Sequence, residues 1–270
     1  MTTEHYTHGH HRSVVTAHSA RRASESAAFL MPLLKSPMKL LDFGCGPGTI
    51  TVDLGEEVAP GGSVLGIDSS ADVIEQARAH AKKSGSTNVK FEARSIYESG
   101  LDADQFDVVY AHQVLQHLSR PVDALNEAKR VLKPGGICAV REIDWSTASF
   151  FPKEPLIERF LEIYFEVATR NGGKADAGRY LKSWFEAAGF EDLEVSTSNW
   201  TFADQAGLAW WGNQWAERVL HSNIATRALE YGIATHVELE RISKAWSAWV
   251  NAPGALWTFT HVAVIGRKWA

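Results

Sequence analysis

Two carboxylates and three glycines set out the first chemistry this sequence could do. In "LLDFGCGPGT", Leu40 to Thr49, the glycines Gly44, Gly46 and Gly48 follow a short apolar run, and Asp42 stands at its tip. A glycine loop that opens a helix ordinarily cradles phosphate on its backbone N–H groups. The dinucleotide spacing G-x-G-x-x-G is not met, because the third glycine comes one place early and Thr49 holds its position. Walker-type phosphate binding is not met either, since no Gly-Lys-Ser/Thr follows. Asp42 would repel a pyrophosphate and suits a ligand bearing positive charge. Asp68 ends "SVLGID", the next apolar run, at the height where a carboxylate accepts from both hydroxyls of a ribose.

A ligand with a ribose, no phosphate and a cationic end satisfies both acids, and S-adenosylmethionine has all three features. The sequence also resembles the class I S-adenosylmethionine-dependent methyltransferases, especially the broad group of small-molecule and quinone-biosynthesis enzymes. "LLDFGCGPGT", "VLGIDSS", "FDVVYAHQVLQHL" and "AKRVLKPGG" carry the resemblance, in the family's order and at its usual separations, from about Lys39 to Asp144. The flanks match only in general layout. The resemblance implies that Gly44 and Gly46 let the backbone approach the methionine and ribose, with Asp42 organising the amino end and Asp68 the ribose diol. Cys45 and Ser69 count with them as cofactor-binding positions. Val73 would pack on the adenine, with Ser95 and Ile96 at its other edge, and Ala111 and His112 would lie near the transferred methyl. Many relatives have Gly-Asp where this chain has Arg94 and Ser95, which shortens and discharges the expected contact to the adenine amino group.

Methyl transfer is a direct displacement, so alignment of nucleophile, carbon and sulfur is the main task and can supply about 7–11 kcal/mol. A base is needed only where the acceptor loses a proton as it attacks. His112 and Gln113 follow a strand expected to end at the site, whereas His117, in "LQHL", reads as a helix end packing on the sheet. Glu142 and Asp144 share one face at the end of the next strand, as solvated strand-end acids or as site residues. Tyr6, His10 and His11, in "HYTHGHHRSVVTAH", are expected to form a lid over the methyl group, with both histidines as further candidate bases; no metal site is expected. Trp145, Asn171, Arg179 and Trp210 are the remaining candidate acceptor contacts. Flat aromatic walls suit an aromatic or otherwise apolar acceptor.

These residues need a scaffold that brings strand tips together. Short apolar runs alternate with helical stripes: "MKLLDF", "SVLGID", a helix over Asp72 to Lys83, "VKFEA", "FDVVYA", a helix over Val122 to Leu132, and "ICAVREID". Ser70 can cap the first of these helices and Gly85 can end it. The alternation predicts an α/β fold: a Rossmann-like, seven-stranded, mostly parallel sheet with helices on both faces. A helix is expected from about Ser13 to Leu34, and the segment 1–36 is expected to act as a helical lid. The methyltransferase domain is expected over 37–270, with a cofactor half, 37–145, and a substrate-side half, 146–270. Strands are expected over Leu193 to Phe202 and Trp257 to Ile265. Between them a helical insertion, about 204–252, carries the stripes Leu208, Trp211, Trp215, Val219 and Ile242, Trp246, Trp249. Thr235 and Glu238 predict a capping box before the second stripe.

The composition narrows the partners. At 270 residues, 45% hydrophobic and with a net charge of -5, the chain can bury a large core and shows no basic excess. Nucleic-acid and membrane-surface binding are therefore not expected, and "YAHQ" lacks the Asn/Asp-Pro-Pro-aromatic pattern of many amino-methyltransferases of nucleic acid and glutamine. The two cysteines, Cys45 and Cys138, form neither a disulfide framework nor an arsenic-binding cluster. No apolar run suits a bilayer or a signal core, so a reduced, cytoplasmic location is expected. Five of the eleven histidines fall in the first 18 residues, whereas all ten tryptophans lie from Trp145 onward. The expected function is methyl transfer from S-adenosylmethionine to a small-molecule acceptor. The methylated atom stays open, quinone C-methylation is included, and both monomer and homodimer are open. A cofactor-binding protein without transfer, such as a cyclase, and a nicotinamide dehydrogenase are the competing readings.

Overall fold

The computed structural model describes residues 18–269. Its strands are β1 (Lys39–Phe43), β2 (Ser63–Asp68), β3 (Val89–Ala93), β4 (Phe106–His112), β5 (Leu132–Phe151), β6 (Glu191–Phe202) and β7 (Leu256–Arg267). They form one seven-stranded sheet in the order β3-β2-β1-β4-β5-β7-β6. Neighbours from β3 to β5 are parallel, and β7 runs antiparallel to both β5 and β6. The winding direction reverses at β1, which lies between β2 and β4. That reversal parts the connections above the carboxyl ends of β1, β2 and β4 and opens a crevice there.

The helices are α1 (Ala23–Ser26), α2 (Thr49–Glu57), α3 (Ala71–Ser84), α4 (Pro121–Val131), α5 (Pro155–Arg170), α6 (Leu181–Ala187), α7 (Gln205–His221), α8 (Asn223–Glu230) and α9 (His236–Trp249). α3 follows its sequence signals: Ser70 Oγ accepts the Val73 N–H, and Gly85 closes the helix at φ +70°. One face of the sheet buries Leu40, Val64, Val108 and Tyr110 under α1 and α2. The other buries Leu41, Val109 and Val140 under α4 and α6. Beyond the carboxyl ends, α5, α7, α8 and α9 enclose a second core around Trp215, Trp246 and Trp257, each at most 1% exposed. The stripe residues Leu208, Trp211, Trp215 and Val219 are all buried in it. Among the described residues, no helix is long and apolar enough to cross a membrane.

Three local expectations need correction. The single helix over Ser13 to Leu34 is broken within the described residues into α1 and a 3-10 turn at Met31–Leu33. Asp53 of α2 accepts the Ala23 N–H at 2.9 Å and pairs with Arg22 at 2.8 Å, so a tertiary cap restarts the helix there, and Pro32 prevents its continuation. β5 runs on to Phe151 after a register shift between Asp144 and Ser149, because β7 continues to pair with it. Only half of the capping box forms. Thr235 Oγ1 accepts the Glu238 N–H, but the Glu238 carboxylate turns to Arg159 Nε at 2.8 Å.

Candidate active site

The loop after β1 is fastened to the tip of β2. The N–H groups of Gly44 and Cys45 both donate to the Ile67 carbonyl, at 2.8 and 3.0 Å. Gly44 makes this turn at φ +66°, and a Cβ there would stand 2.5 Å from Val114. Asp68 then spans two loops: one carboxylate oxygen accepts the Gly46 N–H at 3.2 Å, the other the Ser70 N–H at 3.0 Å. Asp42 is buried beneath, and its carboxylate accepts the Thr51 hydroxyl of α2 at 2.6 Å. Burial is the main force raising the Asp42 pKa to about 7; Thr51 opposes it and nearby Asp68 adds to it. A cationic ligand would relieve this strain by favouring the ionised form.

The structure brings most of the expected cofactor positions into one cleft. Asp42, Gly44, Cys45, Gly46, Asp68, Ser69, Val73, Ile96 and His112 all line it, and so does Gln113. A Cβ on Gly46 would meet no atom within 4 Å, so the backbone presents bare surface to the cleft. The donor set fits an uncharged nucleoside with a cationic tail: two carboxylates, exposed loop backbone and the apolar walls of Val73 and Ile96. Two expected positions do not line the cleft. Ser95 turns its hydroxyl to its own Tyr97 and Glu98 N–H groups, at 3.2 and 3.4 Å, and Ala111 is buried in the core on the other side of β4. Arg94 lines the cleft instead, held by Glu92 at 2.5 Å and by the Ser99 carbonyl at 2.6 Å.

A narrower chamber adjoins the cleft. Trp145, Trp200, Trp210, Trp211, Trp215 and Phe259 wall it, with Gln113, Gln116, Gln214 and Arg218 among its polar positions. His18, Arg21, Gln113 and His117 line both spaces, so the two adjoin along these residues. Of the expected acceptor contacts, Gln113, Trp145 and Trp210 line the chamber and two others do not. Asn171 ends α5 and accepts the Tyr231 hydroxyl at 2.8 Å. Arg179 pairs with Asp144 at 2.8 Å. Tyr6, His10 and His11 lie outside the described residues.

The buried charges divide sharply. Glu142 accepts the Val114 and Leu115 N–H groups, at 2.8 and 2.7 Å, and so holds the turn after β4. Burial outweighs these bonds and pushes its pKa up to about 8. His112 is held far below the usual histidine range, by burial first and then by Arg21, Arg141, His261 and His18. Among the described residues neither of its ring nitrogens has a hydrogen-bond partner, so it presents a neutral imidazole to the cleft. His117, lowered to about 3 by burial and Arg21, lines both spaces rather than only packing on the sheet. Arg21, Arg141, Trp200 and His261 were not singled out in the sequence. They converge from four distant segments and share no local motif; only the strand alternation of Arg141, Trp200 and His261 hinted at a common face.

Comparison with known proteins agrees with this geometry. Residues 34–189 match the family model described as a methyltransferase domain. An uncharacterized methyltransferase of Schizosaccharomyces pombe is 32% identical over 97% of this chain and 96% of its own. A probable methyltransferase of Aspergillus luteorubrus is 31% identical over 98% of each chain. Among solved structures, the YcgJ protein of Bacillus subtilis shares the fold with a TM-score of 0.61 at 17% identity, covering 92% of this chain and 99% of that one. Motifs, cleft and family model converge, and the chain belongs to the class I S-adenosylmethionine-dependent methyltransferases.

Proposed function

We propose that this enzyme methylates a small aromatic acceptor held where the cofactor cleft meets the tryptophan-walled chamber. The observation that carries the reading is the shared lining: Gln113 and His117 face both the cofactor cleft and the chamber, with His112 at the cleft's side of that boundary. When bound, S-adenosylmethionine supplies an electrophilic methyl on a sulfonium. Asp68 would hold the ribose hydroxyls, Val73 and Ile96 would pack against the adenine, and Asp42 would balance the cationic end through the loop. The indoles of Trp145 and Trp211 pack on each other at 5.9 Å and belong to the aromatic wall that faces the acceptor. Neutral His112 has a free lone pair and takes the proton of an acceptor hydroxyl or amine as it attacks. The insertion contributes Trp210, Trp211 and Trp215 to the chamber's wall.

Incubation with methyl-labelled S-adenosylmethionine and a panel of phenols, amines, thiols and quinols tests the reading. Label is expected in an aromatic acceptor. Tight cofactor binding with no labelled product across the panel would favour the non-transferring alternative.

A further inference from the structure

Behind the boundary between cleft and chamber lies a group of buried polar atoms that the protein itself does not satisfy. Arg141 of β5 is 2% exposed. Its Nε and one terminal nitrogen reach only the Ser198 hydroxyl, at 3.3 and 2.9 Å, and its other terminal nitrogen has no partner among the described residues. Among the described residues no carboxylate contacts this guanidinium: Glu142, the next residue, points to the opposite face of the strand and is held there by the turn after β4. His112 is the register partner of Arg141 on β4. Both His112 nitrogens and His261 Nδ1 are likewise buried without partners among the described residues. The two imidazoles stack at 6.2 Å, the Trp200 ring lies 4.5 Å from His261, and Arg141 lies 5.4 Å from the same indole. Arg21 approaches that indole to 5.7 Å and lines both cavities.

Buried polar groups are normally satisfied, and a buried charge normally has a counter-charge. Four nitrogens left over around one indole, three of them donors while His112 is neutral, are therefore the imprint of a missing partner. It must accept hydrogen bonds and carry negative charge. The carboxylates that line the cleft, Asp42 and Asp68, belong to its cofactor end, and the chamber lining contains none.

We propose that the acceptor carries, apart from the hydroxyl or amine that is methylated, an oxygen anion, an aromatic carboxylate or a phenolate, and that Arg141, with His112 and His261, receives this charged oxygen beside Trp200. The inference rests on the methyl-transfer reading and narrows its substrate class. Arg141 thereby sets specificity: it selects the charged acceptor over its neutral isostere.

The test is calorimetry on the whole protein, first with S-adenosylhomocysteine and then, at saturating S-adenosylhomocysteine, with matched probes. Benzoate against benzamide tests the carboxylate form, and 4-nitrophenol against 4-nitroanisole above the phenol's own ionisation tests the phenolate. In at least one pair the anion is expected to bind about tenfold more tightly or better, as a charge-assisted contact requires. Arg141→Met should reduce that preference to about twofold or less while leaving the thermal midpoint of the unliganded protein unchanged or higher, because an uncompensated buried charge is removed. Equal binding within both pairs by the wild-type protein overturns the inference whether or not the variant folds. So does a preference that survives Arg141→Met. Failure to bind S-adenosylhomocysteine would instead defeat the methyl-transfer reading, so the two failures are distinguishable.

Discussion

Gln113 Nε2 stands 2.7 Å from His261 Nε2, joining residues 148 positions apart in the sequence. The Gln113 amide oxygen accepts from Arg21 at 2.6 Å, which turns its NH2 toward the imidazole. His261 Nε2 must then be the acceptor, and its proton resides on Nδ1. One side chain thus ties the segment before α1, the end of β4 and the last strand together at the mouth of the acceptor chamber.

This linkage is held at a conformational cost, since Gln113 adopts φ +55°. Gln113→Ala loses both hydrogen bonds and keeps the left-handed backbone, and should lower unfolding stability by about 1–3 kcal/mol. Gln113→Gly loses the same bonds but relieves the backbone, and should be about 1 kcal/mol more stable than the alanine variant. Urea titration of the pair decides it: a glycine variant no more stable than the alanine one would contradict the strain.

Gly44 and Gly46 separate folding from binding. Gly44→Ala places a methyl 2.5 Å from Val114 at φ +66°, so overpacking and backbone strain together should cost about 2–5 kcal/mol. Adding Val114→Ala should recover part of that loss. Gly46→Ala meets no atom within 4 Å and should cost only the left-handed term, about 1–2 kcal/mol. Its methyl projects from cleft-lining backbone, however, and should weaken S-adenosylhomocysteine about tenfold or more. Calorimetry and denaturant curves on both variants check the contrast.

The cofactor cleft was legible in the sequence because its parts are local. Asp42, the glycines and Asp68 sit at strand tips, where alternation and turn chemistry fix their height, and all of them fall in "LLDFGCGPGT" and "SVLGID". Ser95 and Ala111 show the limit of position alone: a one-residue difference in which side chain faces the crevice cannot be read from a motif. The acceptor side was legible only as aromatic. Trp211 and Trp215 followed their stripe into the core yet also wall the chamber, since a helix between core and cavity serves both with one face. His261 and Arg141 were invisible because their meaning comes from the pairing of β7 between β5 and β6, a long-range contact with no local signature. Asn171 and Arg179 looked like ligand contacts and instead meet Tyr231 and Asp144.

Glu142 gives a pH-dependent stability with a definite sign. Its folded pKa, about 8, lies above its ordinary value of 4.5, so folding favours the protonated acid and stability is lost as pH rises toward 8. His117 acts oppositely, but only below 6.5, where its depressed folded pKa makes acid destabilising. Between pH 6.5 and 8 the Glu142 effect therefore dominates and should remove roughly 2 kcal/mol, with a smaller share from Asp42 near pH 7. Glu142→Gln keeps an acceptor for the Val114 and Leu115 N–H groups and should flatten that slope. Denaturant titrations at three pH values across the window measure it; an unchanged slope would mean that the backbone bonds from Val114, Leu115 and Gln116 keep Glu142 ionised throughout.

The proposed base role of His112 predicts an unusual pH–rate profile. An exposed imidazole loses its lone pair as pH falls through about 6.5, and a base of that kind would bring the rate down with it. His112 is buried, and Arg21, Arg141, His261 and His18 all oppose its protonation, so its lone pair persists well below that point. With an acceptor whose own ionisation lies outside the range, kcat should stay level from pH 7.5 down past 6.5. Replacing His112 by Gln should lower kcat by about 10²- to 10⁴-fold, the usual contribution of a base, with little change in the KM for S-adenosylmethionine. Arg141→Met removes one of the opposing cations and should move the acidic limb of the profile upward in pH, a response that a purely structural His112 would not give. A wild-type rate that falls through 6.5, or a glutamine variant with full kcat, would assign the proton to another group and leave His112 as part of the cleft's wall.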